Sequence, residues 1–557
     1  MSAEDAQAGR ACDISTDVVV VGFGAAGTCA ALAARENGAE VITLERFNGG
    51  GTTALSGGII YAGGGTAVQR QAGVNDTVDE FLAYIKLEVG DVVRSDTLQR
   101  FARSSVEMID WLNSHGVPFD PSMCPYKVSY PNNKYYLYYS GSENSGGFRE
   151  LTPPVARGHR VKGKGTSGKK LYGPLAQSAK AMGVRLYEHT RVTDLVTDAA
   201  GRVVGVEGVT LHRAPRWVRK QFSAAAALAA KPGVYYPPLR KVMEHRLRRL
   251  EKRFGIPMRI AARRGVILCA GGYIANTDWI KQYAPRFTCG LQLGTTADDG
   301  SGIAMALKAG GVADRMDNVS AWRFITPPSA FLGSLIVDQH GQRIIDESRY
   351  GAATGHEMIT SHDGKGWILA DAALMRERRK QLPVQSIWFQ RMQGEGQVIL
   401  DAKRGATLHE VARSAGIDPE GLAATVAAHN NAIDTGAPDP MGKPAEFTRR
   451  VGKGPYTLIN ISIRRSLLNP TPMMTLGGVR VDEDTGAVIT GSGDPVPGLY
   501  AAGRTAIGVC SNSYVSGLSL ADCVFSGRRA GAHAAGESAA TMKPASTPPK
   551  TSGTQRA

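Results

Sequence analysis

Residues 16–46 read TDVVVVGFGAAGTCAALAARENGAEVITLER. The run Val18–Val21 is short, β-branched and apolar, the composition of a strand buried on both faces of a parallel sheet. It ends in Gly22, Gly24 and Gly27, passes into an alanine-rich helix up to about Asn37, and leads to a second strand, Glu40–Leu44, that ends on Glu45. Each glycine has a physical use. Gly22 permits a tight turn, Gly24 lets backbone approach a pyrophosphate, and Gly27 lets the helix pack closely on the strand. The unpaired N–H groups of the helix N-terminus then face the phosphates. Glu45 stands 23 residues after Gly22, where a carboxylate accepts hydrogen bonds from the ribose of an adenine dinucleotide. A bare G-x-G-x-x-G is weak evidence, but strand, glycines, helix, second strand and acid in this order predict dinucleotide binding. The motif alone does not separate NAD from FAD.

A chain of 557 residues with 43% hydrophobic residues has room for two or more domains. Its 67 glycines point to close backbone approaches around a large ligand. Residues 1–15 contain Asp and Glu and no apolar run, which argues against a secretory signal and predicts a loose tail. Residues 536–557 end in a polar, proline-containing stretch and are expected to be disordered. Seven scattered cysteines without a C-x-x-C pair read as reduced thiols, so neither a zinc site nor a disulfide frame is expected. With no spanning segment, the expected location is the cytoplasm.

Further along stand RFNGGGTTALSGGIIYAGGGT, the strand–turn–strand HTRVTDLVTDAAGRVVGVEGV (189–209), the strand ARRGVILCAGG (262–272), and PVPGLYAAGRTA (495–506). Gly49–Gly58 offers flexible backbone and three hydroxyls for an extended dinucleotide, or makes a surface turn. Together these stations resemble the FAD-binding part of the fumarate reductase and 3-ketosteroid dehydrogenase flavoprotein superfamily. The resemblance implies an α/β fold: a Rossmann-like FAD-binding domain built from discontinuous segments (16–211, 261–315 and 470–535), with an inserted α+β catalytic cap at 316–469. Gly22, Gly24, Gly27 and Glu45 would then bind the adenosine half, Val192 would lie toward adenine, and Thr53, Ser56 and Gly58 toward pyrophosphate and flavin. Gly503 would close the ring site, and Ala26, Thr52, Gly57, Gly271, Ser519 and Leu520 complete the expected cofactor contacts. No histidine stands near Gly50–Thr53, so the FAD is expected to be non-covalent. Asp298 and Asp299 read as helix caps in preference to metal ligands.

Near the C-terminus, CSNSYVSGLSLADCVFSGRRAG (510–531) sets Tyr514 and Ser516 ahead of a helix of the type Ala521–Ala534. Dehydrogenating a ketone beside its carbonyl needs a donor to the growing oxyanion and an acceptor for the proton. The pattern Y-x-S-G resembles the 3-ketosteroid Δ4-(5α)-dehydrogenases. That resemblance makes Tyr514 the donor to the C3 carbonyl and Ser516 the acceptor of the C4 proton, with C5 giving hydride to flavin N5. A backbone N–H near Gly517–Ser519 would be the second donor, and Tyr350 is the candidate for the cap tyrosine of this family. Flavin-side packing and turn hydrogen bonds are the competing reading of Tyr514 and Ser516, and a surface or packing tyrosine that of Tyr350. The Δ1-dehydrogenases carry glycine four residues after the tyrosine, where this chain has Leu518. Fumarate reductases need arginine and histidine for a dicarboxylate, and 510–531 holds only Arg528 and Arg529, on the following helix, with no histidine. A 5α-reduced 3-ketosteroid substrate and a quinone-like or artificial electron acceptor follow. The alternatives are Δ1 chemistry, an enone or fumarate-type reductase, and a non-catalytic flavin-bearing membrane scaffold. Tyr135, Tyr136, Tyr138 and Tyr139 read as pocket wall or aromatic strand, and Arg157, His159 and Arg160 as phosphate or entrance residues or solvated bases.

Between His212 and Arg264 fifteen Lys or Arg stand against Glu244 and Glu251, a net of +13 in a chain of net +15. No nucleic-acid-reading motif accompanies this patch, so nucleic acid is not an expected partner. Trp217, Val218, Phe222, Val242, Leu247, Leu250 and Phe254 are interleaved with the bases. Residues 212–260 therefore read as a basic amphipathic insertion lying on the inner face of an anionic membrane, or as a helical hairpin at a subunit contact.

Overall fold

The protein is described here by a computed structural model covering residues 14–466 and 469–536. The expected tails at 1–15 and 536–557 lie outside these residues, apart from Ile14, Ser15 and Gly536; Ile14 and Ser15 already belong to the first strand.

An eight-stranded sheet organises the molecule. Strand Ile14–Val21 lies between Val41–Leu44 and Ile256–Leu268, parallel to both, with Val18 opposite Val41 on one side and Gly265 on the other. Pro495–Ala501 extends the parallel set beyond Ile256–Leu268, and Arg185–Tyr187 extends it beyond Val41–Leu44. The alternation of a strand divides the valine run between two cores. Val18 and Val20 pack on the side of helices Ala25–Glu36 and Leu518–Ala534, while Val19 and Val21 join Ile42, Leu44 and Val192 on the other.

Strand Ile256–Leu268 starts well before the expected Ala262. Its first half pairs antiparallel with Val203–Thr210, extending the hairpin that Thr190–Thr197 begins, and its second half joins the parallel set. The basic insertion is thus an excursion between two adjacent strands of one sheet. It forms helices Arg216–Ala229, Lys231–Tyr235 and Pro237–Phe254, divided where the prolines stand.

The apolar residues that suggested a membrane face in this insertion are mostly turned inward. Val218, Phe222, Leu247 and Leu250 are buried in a cluster with Phe47 and Leu211, and the Phe222 ring stacks on Phe47 at 6.1 Å. Trp217 and Val242 stay exposed, Trp217 meeting Phe254 edge-on. Glu251 pairs with Arg46 and Arg191, and buried Arg240 donates to the Thr295 carbonyl. Packing against Phe47 and Leu211 takes up the buried four, while Trp217, Leu228, Tyr235, Tyr236 and Val242 leave apolar surface on the insertion.

The cap carries a four-stranded antiparallel sheet in the order Leu335–Val337, Trp367–Ala370, Tyr456–Asn460, Ala402–Gly405. Strand Val319–Ala321 pairs instead with Pro472–Thr475, joining the cap's first segment to the chain that returns from it. Tyr350 stands at the N-cap of helix Gly351–Ser361.

Candidate active site

One cavity of about 440 Å³ runs from the ends of the parallel strands to the underside of the cap. That is within the usual range for a small-molecule or cofactor site. Glu45, Arg46, Arg191, Val192 and Tyr235 line one end, the Gly22–Ala26 turn and Gly51–Gly58 the middle, and Tyr514, Ser516, Trp322 and Tyr350 the other.

The glycines of the first turn differ in what requires them. A Cβ on Gly22, whose φ is +96°, would lie 2.4 Å from the Cys269 carbonyl oxygen, and one on Gly27 would lie 2.0 Å from the Gly22 carbonyl oxygen. Both glycines are demanded by the protein's own packing. At Gly24 the nearest protein atom is Thr53 Oγ1 at 3.5 Å, an ordinary contact, and the residue lines the cavity. The space a side chain would take at Gly24 is the space a pyrophosphate needs.

Several expected cofactor contacts line the cavity but hold protein atoms as well. Glu45 is buried and accepts the Phe23 N–H (3.0 Å) and the Phe47 N–H (2.8 Å). Burial raises its carboxyl above the usual range, and those two donors oppose the shift. Thr53 Oγ1 accepts the Ala25 N–H at 2.9 Å, and Ser56 Oγ donates to the Thr53 carbonyl while accepting the Gly58 N–H. Thr52 donates to Asp298. Ala26, Gly57, Gly58, Gly271, Ser519 and Leu520 also line the cavity. Gly27 and Gly503 do not: Gly503 lies behind the wall, where a Cβ would sit 2.7 Å from Ala26 Cβ, so it packs the ring site from outside.

Asp298 is not a helix cap. Its carboxylate accepts from Thr52 Oγ1, the Thr295 N–H and Arg504 Nη2, tying together three segments remote in sequence. Asp299 does accept the Ser301 N–H in the first turn of helix Ser301–Lys308, and it also pairs with Arg46. Arg504 was missed by sequence reasoning. It is buried, lines the cavity, and keeps Nη1 without a hydrogen-bond partner. A buried cationic donor left open favours an anionic or carbonyl-bearing group beside it. The open cradle at Gly24, the orphaned Arg504 nitrogen and the uncapped N-terminus of helix Leu518–Ala534 together fit FAD.

At the far end the Tyr514 ring stacks on Trp322 (5.0 Å, 13° between planes) and lies 6.3 Å from the Tyr350 ring. Burial pushes the Tyr514 phenol well above its usual value, and a hydrogen bond from the Gly517 backbone N–H works against the shift. Tyr514 and Gly517 both line this end of the cavity, which brings a phenol and a turn of backbone to its wall. Gly517 has φ +99°, and a Cβ there would lie 2.8 Å from the Tyr61 nitrogen, so this turn admits no side chain.

Ser516 is buried and held by backbone: its N–H donates to the Ser140 carbonyl at 3.1 Å, and its carbonyl accepts from Ser140 Oγ at 2.9 Å. Its hydroxyl accepts from Tyr138 Oη at 3.5 Å. Tyr350 is raised strongly by burial, with a hydrogen bond to Ser516 opposing the rise. Tyr350, the candidate cap tyrosine, and Ser516 line the same end of the cavity.

Tyr138 stands behind Ser516 and is not pocket wall, and Tyr135, Tyr136 and Tyr139 also lie outside the cavity lining. Arg157, His159 and Arg160 are fully buried and do not line the cavity. Arg157 makes a double contact with Asp76 (3.0 and 2.7 Å), His159 meets Thr66 Oγ1 at 2.8 Å, and Arg160 donates to backbone carbonyls including those of Pro131 and Asn132. They are internal ties, neither entrance nor phosphate residues. Trp322 and the cap's cavity-facing glutamines gave no motif signal.

Two arginines that line the cap end are also committed. Arg323 donates to Asn469 and Thr471, and Arg378 to Glu395 and the Gly394 carbonyl.

Residues 17–520 match the family described as FAD binding domain. The chain is 37% identical over 498 residues to a 3-oxo-5-alpha-steroid 4-dehydrogenase of Comamonas testosteroni, covering 88% of this chain and 92% of that protein. It is 26% identical to a 3-oxosteroid 1-dehydrogenase of Mycobacterium tuberculosis, over 89% of this chain and 94% of that one. Among solved structures, the 3-ketosteroid-delta4-(5alpha)-dehydrogenase of Rhodococcus jostii RHA1 in complex with 4-androstene-3,17-dione superimposes with a TM-score of 0.79 at 30% identity, covering 96% of this chain and 99% of that one.

Proposed function

The chain belongs to the FAD binding domain family, and from that premise we propose that it is an FAD-dependent 3-oxosteroid 4-dehydrogenase, forming the C4–C5 double bond of 5α-reduced 3-ketosteroids. The observation that supports this reading is that Tyr514, Ser516, Gly517 and Tyr350 line one end of the same cavity, with the Tyr350 and Tyr514 rings 6.3 Å apart. When bound, FAD supplies the acceptor for the hydride that leaves C5.

Two donors, the Tyr514 hydroxyl and the Gly517 N–H, bind the C3 carbonyl oxygen and stabilise the negative charge that grows there as C4 loses its proton. Being buried, they face no competing water, and their interaction with that charge is strengthened by the low local dielectric. Ser516 takes the C4 proton. A lone serine is a poor base, and two buried phenols supply the onward route for its proton: Tyr138, 3.5 Å from the serine hydroxyl, and Tyr350, which lines the same end of the cavity. Trp322, stacked flat on Tyr514, holds the phenol in place and offers a broad apolar surface for a steroid ring.

Of the cap-end arginines, Arg378 is paired with Glu395, and Arg323 donates to the neutral groups of Asn469 and Thr471. Leu518, fourth after Tyr514, separates the chain from the Δ1 pattern. The cavity lining contains no histidine among the described residues, which supports a non-covalent cofactor. Each turnover removes two electrons and two protons from the substrate, the C5 hydride and the C4 proton, so a separate two-electron oxidant must act, and a quinone-like acceptor, reduced to the quinol, satisfies that balance.

Anaerobic mixing tests the reading. Flavin absorbance bleaches with 5α-androstane-3,17-dione and stays unchanged with fumarate and with a 4-ene-3-ketone. Bleaching by the 4-ene ketone would shift the reaction to C1–C2.

A further inference from the structure

Helix Trp388–Leu400 in the cap is amphipathic in the reverse sense. Its polar stripe, Gln390, Gln393 and Gln397, faces the cavity together with Phe389. Its apolar stripe faces outward, with Trp388 72%, Met392 65%, Ile399 75% and Leu400 64% exposed, and Val384 of the preceding helix is exposed beside it. Ordinary surface helices turn their apolar stripe to the core. This one has no fully buried residue and forms a wall one helix thick between cavity and exterior.

Charge around the stripe says what covers it. Arg376, Arg379, Lys380, Arg391, Lys403 and Arg404, on this helix and the two elements flanking it, are all exposed. The acids on the same elements are already paired, Glu377 with Arg449, Glu395 with Arg378 and Asp401 with Arg464. Exposed Trp, Met, Ile and Leu ringed by unneutralised cations are the composition of a surface that settles into an anionic lipid interface. A second copy of the chain is a poorer occupant. A two-fold contact centred here would set Arg391 and Arg379 against their own copies, and like charges facing each other disfavour association.

We propose that the outer face of helix Trp388–Leu400, with its cationic rim, docks on an anionic lipid surface. The docking face is placed on the cap, where the exposed apolar residues share one helix; in the basic insertion Trp217, Leu228, Tyr235, Tyr236 and Val242 are exposed but spread over three helices and the turns between them, while Val218, Phe222, Leu247 and Leu250 are buried. Docking here lays the thin wall of the cavity against the phase in which apolar molecules concentrate. The proposal stands on exposure and charge and does not depend on the steroid reading.

The test is flotation of the FAD-loaded protein with vesicles of phosphatidylcholine, with and without phosphatidylglycerol. The expected result is binding to the phosphatidylglycerol vesicles that weakens at least tenfold in high salt or without the anionic lipid. A Trp388→Gln, Met392→Gln, Ile399→Gln variant should lose at least tenfold in binding while keeping its flavin spectrum. Should that variant fail to fold, Arg379→Gln, Lys380→Gln, Arg391→Gln leaves the apolar face intact and should weaken the same binding. No binding by the intact protein overturns the proposal. So does binding untouched by either variant, or binding lost instead on Arg246→Gln, Arg248→Gln, Arg249→Gln in the insertion. A dimer dissolved by the first variant, with no vesicle binding, assigns the face to a second copy and overturns it as well.

Discussion

The two ends of the cavity use polar atoms in opposite ways. At the dinucleotide end Glu45, Thr53 and Ser56 hold backbone N–H and C=O groups of neighbouring turns, and glycines leave the room. At the ketone end Tyr514 and Gly517 both line the cavity, with the phenol buried and its ring stacked on Trp322. A dinucleotide site is mainly a fixed shape, so its side chains stiffen loops and main chain meets the ligand. A catalytic site needs donors that gain most when charge appears, which requires desolvated groups not already satisfied.

If that contrast is right, substitutions at the two ends separate cleanly. The largest effect is expected at the ketone end. Tyr514→Phe should lower kcat by about 10²–10³, and Ser516→Ala by about 10²–10⁴, while both proteins keep their flavin content, measured by absorbance and turnover. Lost flavin in either variant would mean that the pair supports the cofactor and not the reaction.

Next come the glycines. Gly27→Ala forces a Cβ to within 2.0 Å of the Gly22 carbonyl oxygen and should destabilise even the apoprotein, by at least the ~1–3 kcal/mol typical of overpacking. Gly24→Ala should leave the apoprotein's Tm unchanged and weaken FAD binding, read by flavin fluorescence on titration. Equal behaviour of the two variants would break the distinction between packing and ligand glycines.

A pH measurement tests the inner ties. Burial lowers the His159 imidazole from its usual 6.5 to about 4. Between those values the unfolded chain binds the proton and the folded protein does not, so stability rises with pH across that window and falls as pH drops through it. Linkage sets this contribution at roughly a few kcal/mol for a shift of this size. His159→Gln should flatten the slope of Tm against pH between about 6.5 and 4. An unchanged slope would remove His159 from the buried ties. The smallest effect is expected for Thr53→Val, which deprives the Ala25 N–H of its acceptor and should cost about 1 kcal/mol in Tm-derived stability.

The Rossmann unit was readable because its determinants are local. Turn glycines, strand composition and helix start lie within 31 consecutive residues and follow from backbone sterics. The strand that begins at Ile256 was expected from Ala262, because its first half is held by a neighbouring hairpin and its own composition there is basic. Tyr514 and Ser516 were legible as a motif. Trp322 and Tyr138 were not, since one belongs to the cap and the other to a distant strand, and nothing near them in sequence marks the contact. Arg157, His159 and Arg160 misled because a string of bases reads as solvated until Asp76 and the carbonyls of Pro131 and Asn132 are found around it.

The sequence by itself determined a dinucleotide fold, the stations that return to it and the hydroxyl pair ahead of the last helix, all set by short-range sterics and residue chemistry. Tertiary structure alone decided which polar groups are engaged inside the protein and which are left for a ligand. It also decided which apolar residues of the basic insertion are buried, Val218, Phe222, Leu247 and Leu250, and which stay exposed, Trp217 and Val242 among them. Those outcomes depend on the partner that each side chain meets across the fold, and the partners come from segments hundreds of residues apart, as Asp298 and Arg504 do.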